Sequence, residues 1–200
     1  MSKSKRSKLQ DRILIFSVAI FLGLFMVLIG YKMYDMGYLN PSGRTVPVYD
    51  DVSDFRLIER SGKEITKNDL LGHVWIADFI FTRCAGQCPI MSLAVSKLSK
   101  EMPGLRFVSF TSDPEYDSPQ ILSTYAGWYQ ADPEKWLFLT GDKKSLNEVA
   151  AGLKLTKIDD PLLHSNYFVL IDKKGRIRGY YDPNDSEKLK TLKQDVQDIR

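Results

Sequence analysis

Cysteine and histidine are scarce in this 200-residue sequence, which holds two of each. So few exclude a disulfide-dense mini-domain and a four-cysteine zinc module. A cationic body is missing too. The 28 basic and 25 acidic side chains leave a formal net charge of +3. Residues 1–12 carry Lys3, Lys5, Arg6, Lys8 and Arg12 against the single acid Asp11, a net +4, so residues 13–200 stand at −1. Nucleic-acid binding needs a basic face on the folded part, and no nucleic-acid partner is expected. There is no internal repeat and no low-complexity tract. With 44% hydrophobic and 26% charged residues, wholesale disorder is excluded as well.

What is present begins with a long apolar run. Residues 13–31, ILIFSVAIFLGLFMVLIGY, contain no charge. Nineteen residues of α-helix rise roughly 28 Å, close to the bilayer hydrocarbon thickness of about 30 Å. The run is apolar all round, as lipid demands, and Arg12 and Lys32 bound it. It is longer than the roughly 7–15 residues of a signal-peptide core, and no clear A-x-A site follows, so an uncleaved anchor is expected over a processed signal. Too little chain precedes it for a separate amphipathic presequence. The positive-inside rule keeps the basic tail (1–12) in the cytoplasm and puts the remainder outside it. Residues 32–50 read as a linker, broken by Gly37, Asn40, Pro41, Ser42, Gly43 and Pro47. Residues 51–200 are then one domain of ordinary size.

Within that body, 55–60 alternates and meets a Ser61-Gly62-Lys63 turn, which reads as a hairpin. Residues 74–81 form a near-continuous apolar run with one charge, the pattern of a strand buried on both faces. A helix is expected from Pro89 to about 101, a strand over 106–111, and a helix from Ser118-Pro119 to 129. Further expectations are a strand at 136–139, a helix at 144–153, a hairpin of 166–171 with 176–181, and a closing helix at 186–199 capped by Asp185 or Ser186. Alternating β and α predicts an α/β fold, largely parallel and covered on both faces, with the late hairpin as an antiparallel edge.

Both cysteines lie in Phe79-Ile-Phe-Thr-Arg-Cys84-Ala-Gly-Gln-Cys88-Pro89-Ile-Met91, between a core strand and a helix. Open α/β sheets put their sites beyond the C-terminal ends of strands, and a helix N-terminus favours thiolate over thiol. A structural disulfide, two buried thiols acting as small hydrophobes, a redox pair and a metal site all remain open. A bridge across so short a loop stabilises least. The C-x-x-x-C spacing lets both sulfurs face one ion.

A third ligand would favour metal. His73 precedes the first core strand, at the far edge of the sheet, about 26 Å away along eight strand residues. His164 precedes a strand expected to run antiparallel to that core strand, and so belongs to the same edge as the cysteines. Two thiolates and an imidazole suit Cu(I); zinc usually wants a fourth ligand or a water, and Cu(II) would add an oxygen donor. Asp113 in Thr111-Ser-Asp113-Pro-Glu115-Tyr-Asp117-Ser-Pro119 could orient His164 or a bound water without itself touching the ion, and Asp117 suits a turn and helix entry. Met91 reads better as core filling than as a thioether donor.

These stretches, together with Phe138-Leu-Thr-Gly141 and His164-Ser165 before Tyr-Phe-Val-Leu-Ile-Asp172, resemble the Sco/SenC family from about residue 48 onward. Its members are thioredoxin-fold proteins that help assemble cytochrome c oxidase. The resemblance implies a thioredoxin-like fold with an N-terminal hairpin extension, preceded here by one transmembrane helix. It implies copper, Cu(I) or Cu(II), on Cys84, Cys88 and His164, with Asp113 as the acidic residue of the family's Asp-Pro-Glu motif. The implied function is copper delivery to the binuclear copper site of oxidase subunit II, or reduction of that site's cysteines by Cys84 and Cys88 as a redox pair. The partners would be subunit II or a similar copper acceptor, an upstream copper donor, and the membrane. The implied location is a bacterial inner membrane, single-pass, with the C-terminal domain in the periplasm or extracytoplasmic space. Leu162-Leu163 depart from the polar residues frequent before the family's histidine. A peroxidase fits less well, since paired thiols argue against a single low-pKa cysteine in a dedicated pocket.

Overall fold

A computed structural model describes residues 3–35, 44–155 and 166–200. They fall into two units, Met1–Thr45 and Val46–Arg200. The first is one helix, α1 (Lys3–Asp35). It extends beyond the uncharged run at both ends, because the flanking lysines and arginines are themselves good helix formers. Its segment Leu14–Met33 has a mean hydropathy of 2.6, with none of it covered by protein. Such a helix offers no polar face to water and is compatible with a membrane anchor.

In the second unit the chain runs through β1 (Asp50–Asp51), β2 (Arg56–Glu59), β3 (Glu64–Thr66), β4 (Trp75–Ile80), α2 (Gln87–Glu101) and β5 (Arg106–Thr111). It continues through α3 (Pro119–Trp128), β6 (Trp136–Thr140), α4 (Lys143–Gly152), β7 (Phe168–Ile171), β8 (Arg176–Tyr181) and α5 (Ser186–Asp198). Among the described residues the strands make one sheet in the order β1-β8-β7-β4-β5-β6-β2-β3. β4 is central, parallel to β5 and antiparallel to β7. Every residue of β4 is buried, as its apolar run predicts. Its side chains alternate between two cores. Ile76 and Ile80 meet Met91 and Val95 of α2, Leu122 and Tyr125 of α3, and Leu192 and Val196 of α5. Trp75, Ala77 and Phe79 meet Leu146, Val149 and Ala150 of α4.

The helix starts follow local chemistry. The Ser118 hydroxyl accepts the Ile121 N–H with Pro119 in the first turn of α3. Asp142 accepts the Ser145 N–H, and Asp185, not Ser186, caps α5 by accepting from Glu187 and Lys188. The β2–β3 hairpin turns at Gly62, whose φ of +87° favours glycine, and pairs with β6 as an N-terminal extension.

One expectation needs correcting. The β7–β8 hairpin does not form the edge of the sheet, because β1 pairs outside β8, Asp50 opposite Ile177. Free backbone groups on β8 accept the incoming chain, and the Tyr49 N–H bonds the Ile177 carbonyl at 2.9 Å. Arg178, aligned by buried Asp172, donates to the carbonyls of Val46 and Pro47. Residues 46–50, read as linker, therefore pack with the folded unit.

Asp78 is the one charge in β4. It sits opposite Ser109 of β5 and is fully enclosed, and its Oδ2 has no hydrogen-bond partner among the described residues. Burial raises its pKa from an ordinary carboxylate value to about 7, with the Ser109 hydrogen bond opposing. The folded chain keeps this proton up to about pH 7, whereas the unfolded chain releases it near pH 4, so this group's contribution to stability falls as pH rises through that window. All three tryptophans lie in the folded unit, so their fluorescence follows its unfolding. In full-length protein in detergent, the stability of Asp78→Asn relative to the parent is expected to improve steadily from pH 4 to 8; a pH-independent difference would contradict the buried proton.

Candidate metal and redox centre

Strand β4 ends at Ile80, and α2 begins only seven residues later. Gly86 is the residue before the helix, so Cys88 occupies its second position and Pro89 its third. The helix was expected to open at Pro89. Its earlier start is allowed because the first-turn N–H groups have no intrahelical acceptor, so a residue without an N–H fits anywhere in that turn. Cys88 is thus held by helix geometry, while Cys84 stays on the connecting loop.

The two thiols are free and unlike. Cys84 is partly exposed and Cys88 is buried. Burial acts to raise the Cys84 thiol, but the N–H groups of Cys88 and Gly86, the Cys88 side chain and the Gln87 N–H together outweigh it and hold its pKa below the ordinary thiol value. The Gly86 N–H lies 3.4 Å from Cys84 Sγ. For Cys88 burial dominates and pushes its pKa well up, and the adjoining Cys84 and the Asp78 carboxylate act in the same direction. One sulfur is therefore prepared as thiolate, and the other holds its proton until something replaces it.

The loop ahead of the cysteines is tied down by a residue that sequence reasoning treated as a turn former. Asp117 is completely buried and accepts three hydrogen bonds. The Thr82 N–H donates at 3.2 Å, the Thr82 hydroxyl at 2.5 Å and the Thr111 hydroxyl at 2.5 Å. Thr111 Oγ1 in turn accepts the Asp113 N–H at 2.9 Å. A buried donor deprived of its acceptor costs about 1–3 kcal/mol, so this carboxylate fixes Thr82, two residues before Cys84, to the end of β5. The signal available in the sequence was the pair of threonines at two strand ends facing one aspartate. The Asp113 side chain bonds Arg83, and Arg83 itself was not singled out.

Among the described residues no group of three or more His, Cys, Asp or Glu side chains converges as a metal site. His164, with Leu162, Leu163 and Ser165, lies outside the described residues. Ala77 pairs with Val169 and β7 runs antiparallel to β4, so the N-terminal end of β7 sits at the edge where the cysteine loop leaves. His73 lies ahead of β4, at the opposite edge, with its N–H on the Leu70 carbonyl. Burial, then Arg106 and Lys173, hold its pKa below the usual imidazole value. Met91 is buried in the core, as expected.

Comparison with known proteins follows the same outline. The SCO1/SenC family profile matches residues 46–199, which is the whole folded unit bar its last residue. The chain belongs to the SCO1/SenC family. A SCO1 protein homolog of Bacillus subtilis is 32% identical over 146 residues, covering 68% of this chain and 76% of the relative. The solved structure of BsSco, a member of the Sco family of cytochrome c oxidase assembly proteins with a disulfide switch, is 27% identical. It superposes with a TM-score of 0.65 over 78% of this chain and 96% of that one. Yeast Sco1 with copper bound is 27% identical, with a TM-score of 0.56 over 74% of this chain and 92% of its own. The thioredoxin-like Sco architecture is therefore that of this chain.

The unequal thiols make a direct prediction. In reduced full-length protein at pH 7, limiting iodoacetamide should label Cys84 more than about tenfold faster than Cys88, at least the factor that one pKa unit represents. Peptide mass spectrometry reads the ratio; equal labelling, or Cys88 first, would contradict the described geometry.

Proposed function

We propose that this chain is a membrane-anchored, copper-binding factor for cytochrome c oxidase assembly, with Cys84, Cys88 and His164 as its metal donors. The observation that carries the reading is the pair of unbonded thiols astride the first turn of α2, in a chain of the SCO1/SenC family. The apolar α1 supports tethering, with the basic residues on the cytoplasmic side and the folded unit outside, at a bacterial inner membrane. Yeast Sco1 with copper bound supports the choice of ion.

The donor set fits that ion. Thiolate is a soft ligand that Cu(I) prefers, and three donors satisfy it. Cys84 offers a sulfur already biased towards thiolate, while Cys88 must exchange its proton for the metal. The Cys88 ligand is therefore the more readily reprotonated of the two when an acceptor competes, which suits a protein that hands its cargo on. The recipient in this reading is the binuclear copper site of oxidase subunit II, supplied through an upstream donor.

The same asymmetry favours a second reading, reduction of a partner's disulfide before metallation. Cys84 thiolate attacks one partner sulfur and expels the other as thiolate. Cys88, once deprotonated, attacks Cys84 Sγ and releases the second partner thiolate, leaving a Cys84–Cys88 disulfide. The disulfide switch of BsSco supports this use of the pair. The two readings are compatible, because only the reduced pair binds metal.

The test is copper retention by full-length protein in detergent, reduced, loaded with one equivalent of Cu(I) and challenged with a competing chelator. The parent should keep one copper per chain. Cys84→Ser, Cys88→Ser and His164→Ala should each lose more than about 100-fold in affinity, the upper range for merely outer-shell changes. Retention unchanged in any one of the three variants would sink the three-donor site.

A further inference from the structure

Arg83 stands immediately before Cys84, at the corner of a tight turn closed by the Cys84 N–H on the Phe81 carbonyl at 3.1 Å. The loop between β5 and α3 holds its guanidinium from two sides. Nη2 donates to Asp113 Oδ2 at 2.5 Å, and the guanidinium carbon lies 4.2 Å from the centre of the Tyr116 ring. That loop is itself fixed. The Asp113 N–H is held by Thr111 Oγ1, and the Asp113 carbonyl accepts from the N–H groups of Tyr116 and Asp117.

Stability gives no reason to pin this side chain. It is 58% exposed, and such ion pairs contribute little. Buried Asp117 already ties the two loops together beneath it. What the two contacts do accomplish is to fix a planar cation in the open. Only Nη2 is engaged, and the other guanidinium N–H groups have no hydrogen-bond acceptor among the described residues. A guanidinium fixed in advance gives up little freedom when a carboxylate arrives, and its free donors match one.

The place of Arg83 in the chain decides what can arrive. Its Cα is about 3.8 Å from that of Cys84. Once a partner sulfur is bonded to Cys84 Sγ, the residues flanking the partner's cysteine lie on this rim, within reach of the arginine. The Cys84 thiolate by itself disfavours an acidic segment there, and Arg83 offsets it. Asp113 and the exposed Glu115 balance the arginine at long range, so any preference arises on contact and not by steering.

We propose that Arg83 is a specificity residue of the disulfide exchange, selecting a partner segment that carries a carboxylate side chain beside the cysteine that Cys84 attacks. This rests on the reductase reading above and needs no metal. In the exchange Cys84 Sγ bonds one partner sulfur, the partner S–S bond breaks, and the other partner sulfur leaves with the electron pair as thiolate. Arg83 takes no part in these bond changes; it holds the flanking carboxylate while they occur.

The experiment follows Cys84 alone, in reduced, metal-free, full-length protein carrying Cys88→Ser in neutral detergent. The probes are three short synthetic peptides, identical but for glutamate, glutamine or lysine on either side of one cysteine, which is activated as a 2-pyridyl mixed disulfide. Absorbance of the released 2-thiopyridone gives each second-order rate. With Arg83 in place the glutamate peptide should react fastest and the lysine peptide slowest. Arg83→Ala should lower the glutamate-to-glutamine rate ratio about two- to fivefold, the worth of an exposed ion pair. Arg83→Lys, which keeps the charge without the fork, should lose less. A change in the thiolate fraction of Cys84 cancels in the ratio, because every peptide meets the same sulfur. A ratio that stays put in Arg83→Ala, or a lysine peptide that reacts fastest with Arg83 in place, overturns the role of Arg83 and leaves Cys84 as the nucleophile. Protein that reacts with none of the peptides, while iodoacetamide still labels Cys84, overturns the reductase reading and this proposal with it.

Discussion

The carboxylate of Asp117 holds the centre together. It lies out of contact with solvent, and it receives the N–H and hydroxyl of Thr82 together with the hydroxyl of Thr111. Those donors sit at the ends of two neighbouring parallel strands, so one aspartate sets how the chain leaves β4. From Thr82 only four residues remain before α2 begins. Within that span Cys84 must fall on the loop and Cys88 in the first turn of the helix. The difference in chemical character between the two sulfurs follows from this placement: one meets backbone N–H groups, the other meets the core.

In the proposed reading, that difference would let a metal carrier and a disulfide reductase share one site. A carrier needs thiolates that form readily but can be given up; a reductase needs one attacking sulfur and one that waits. A lowered Cys84 and a raised Cys88 satisfy both demands with the same two side chains. The enclosed Asp78 lies on the same face of β4 as Ile76 and Ile80, beneath α2, and its charge opposes ionisation of Cys88. That opposition is present only above about pH 7, where Asp78 gives up its proton.

Much of this was legible in the sequence, and the reasons are physical. The near-continuous apolar run of β4, with Asp78 its one charge, has the pattern of a strand covered on both faces, and Ser118-Pro119 marks a helix start by its own hydrogen-bonding capacity. The late hairpin was legible from its Lys-Lys-Gly turn, where Gly175 has a φ of +78°. Its position inside the sheet was not, since the outer strand β1 has just two residues and is specified by the tertiary contacts of Arg178 and Tyr49. The cysteines announced themselves by spacing and by the helix that follows. Asp117 and Arg83 did not. A buried aspartate and a turn-forming one look alike in sequence, and Thr82 lies 35 residues from Asp117 as Asp113 lies 30 from Arg83. His164 was singled out by the strand that follows it; β7 starts at the cysteine edge of the sheet, while His164 itself lies outside the described residues.

The central claim is a convergence of two sulfurs and one distant imidazole on a single ion. X-ray absorption at the copper edge of the Cu(I)-loaded, full-length protein measures that directly. The account predicts two sulfur scatterers and one imidazole nitrogen around each copper. A shell with one sulfur, or with no imidazole nitrogen, would contradict it.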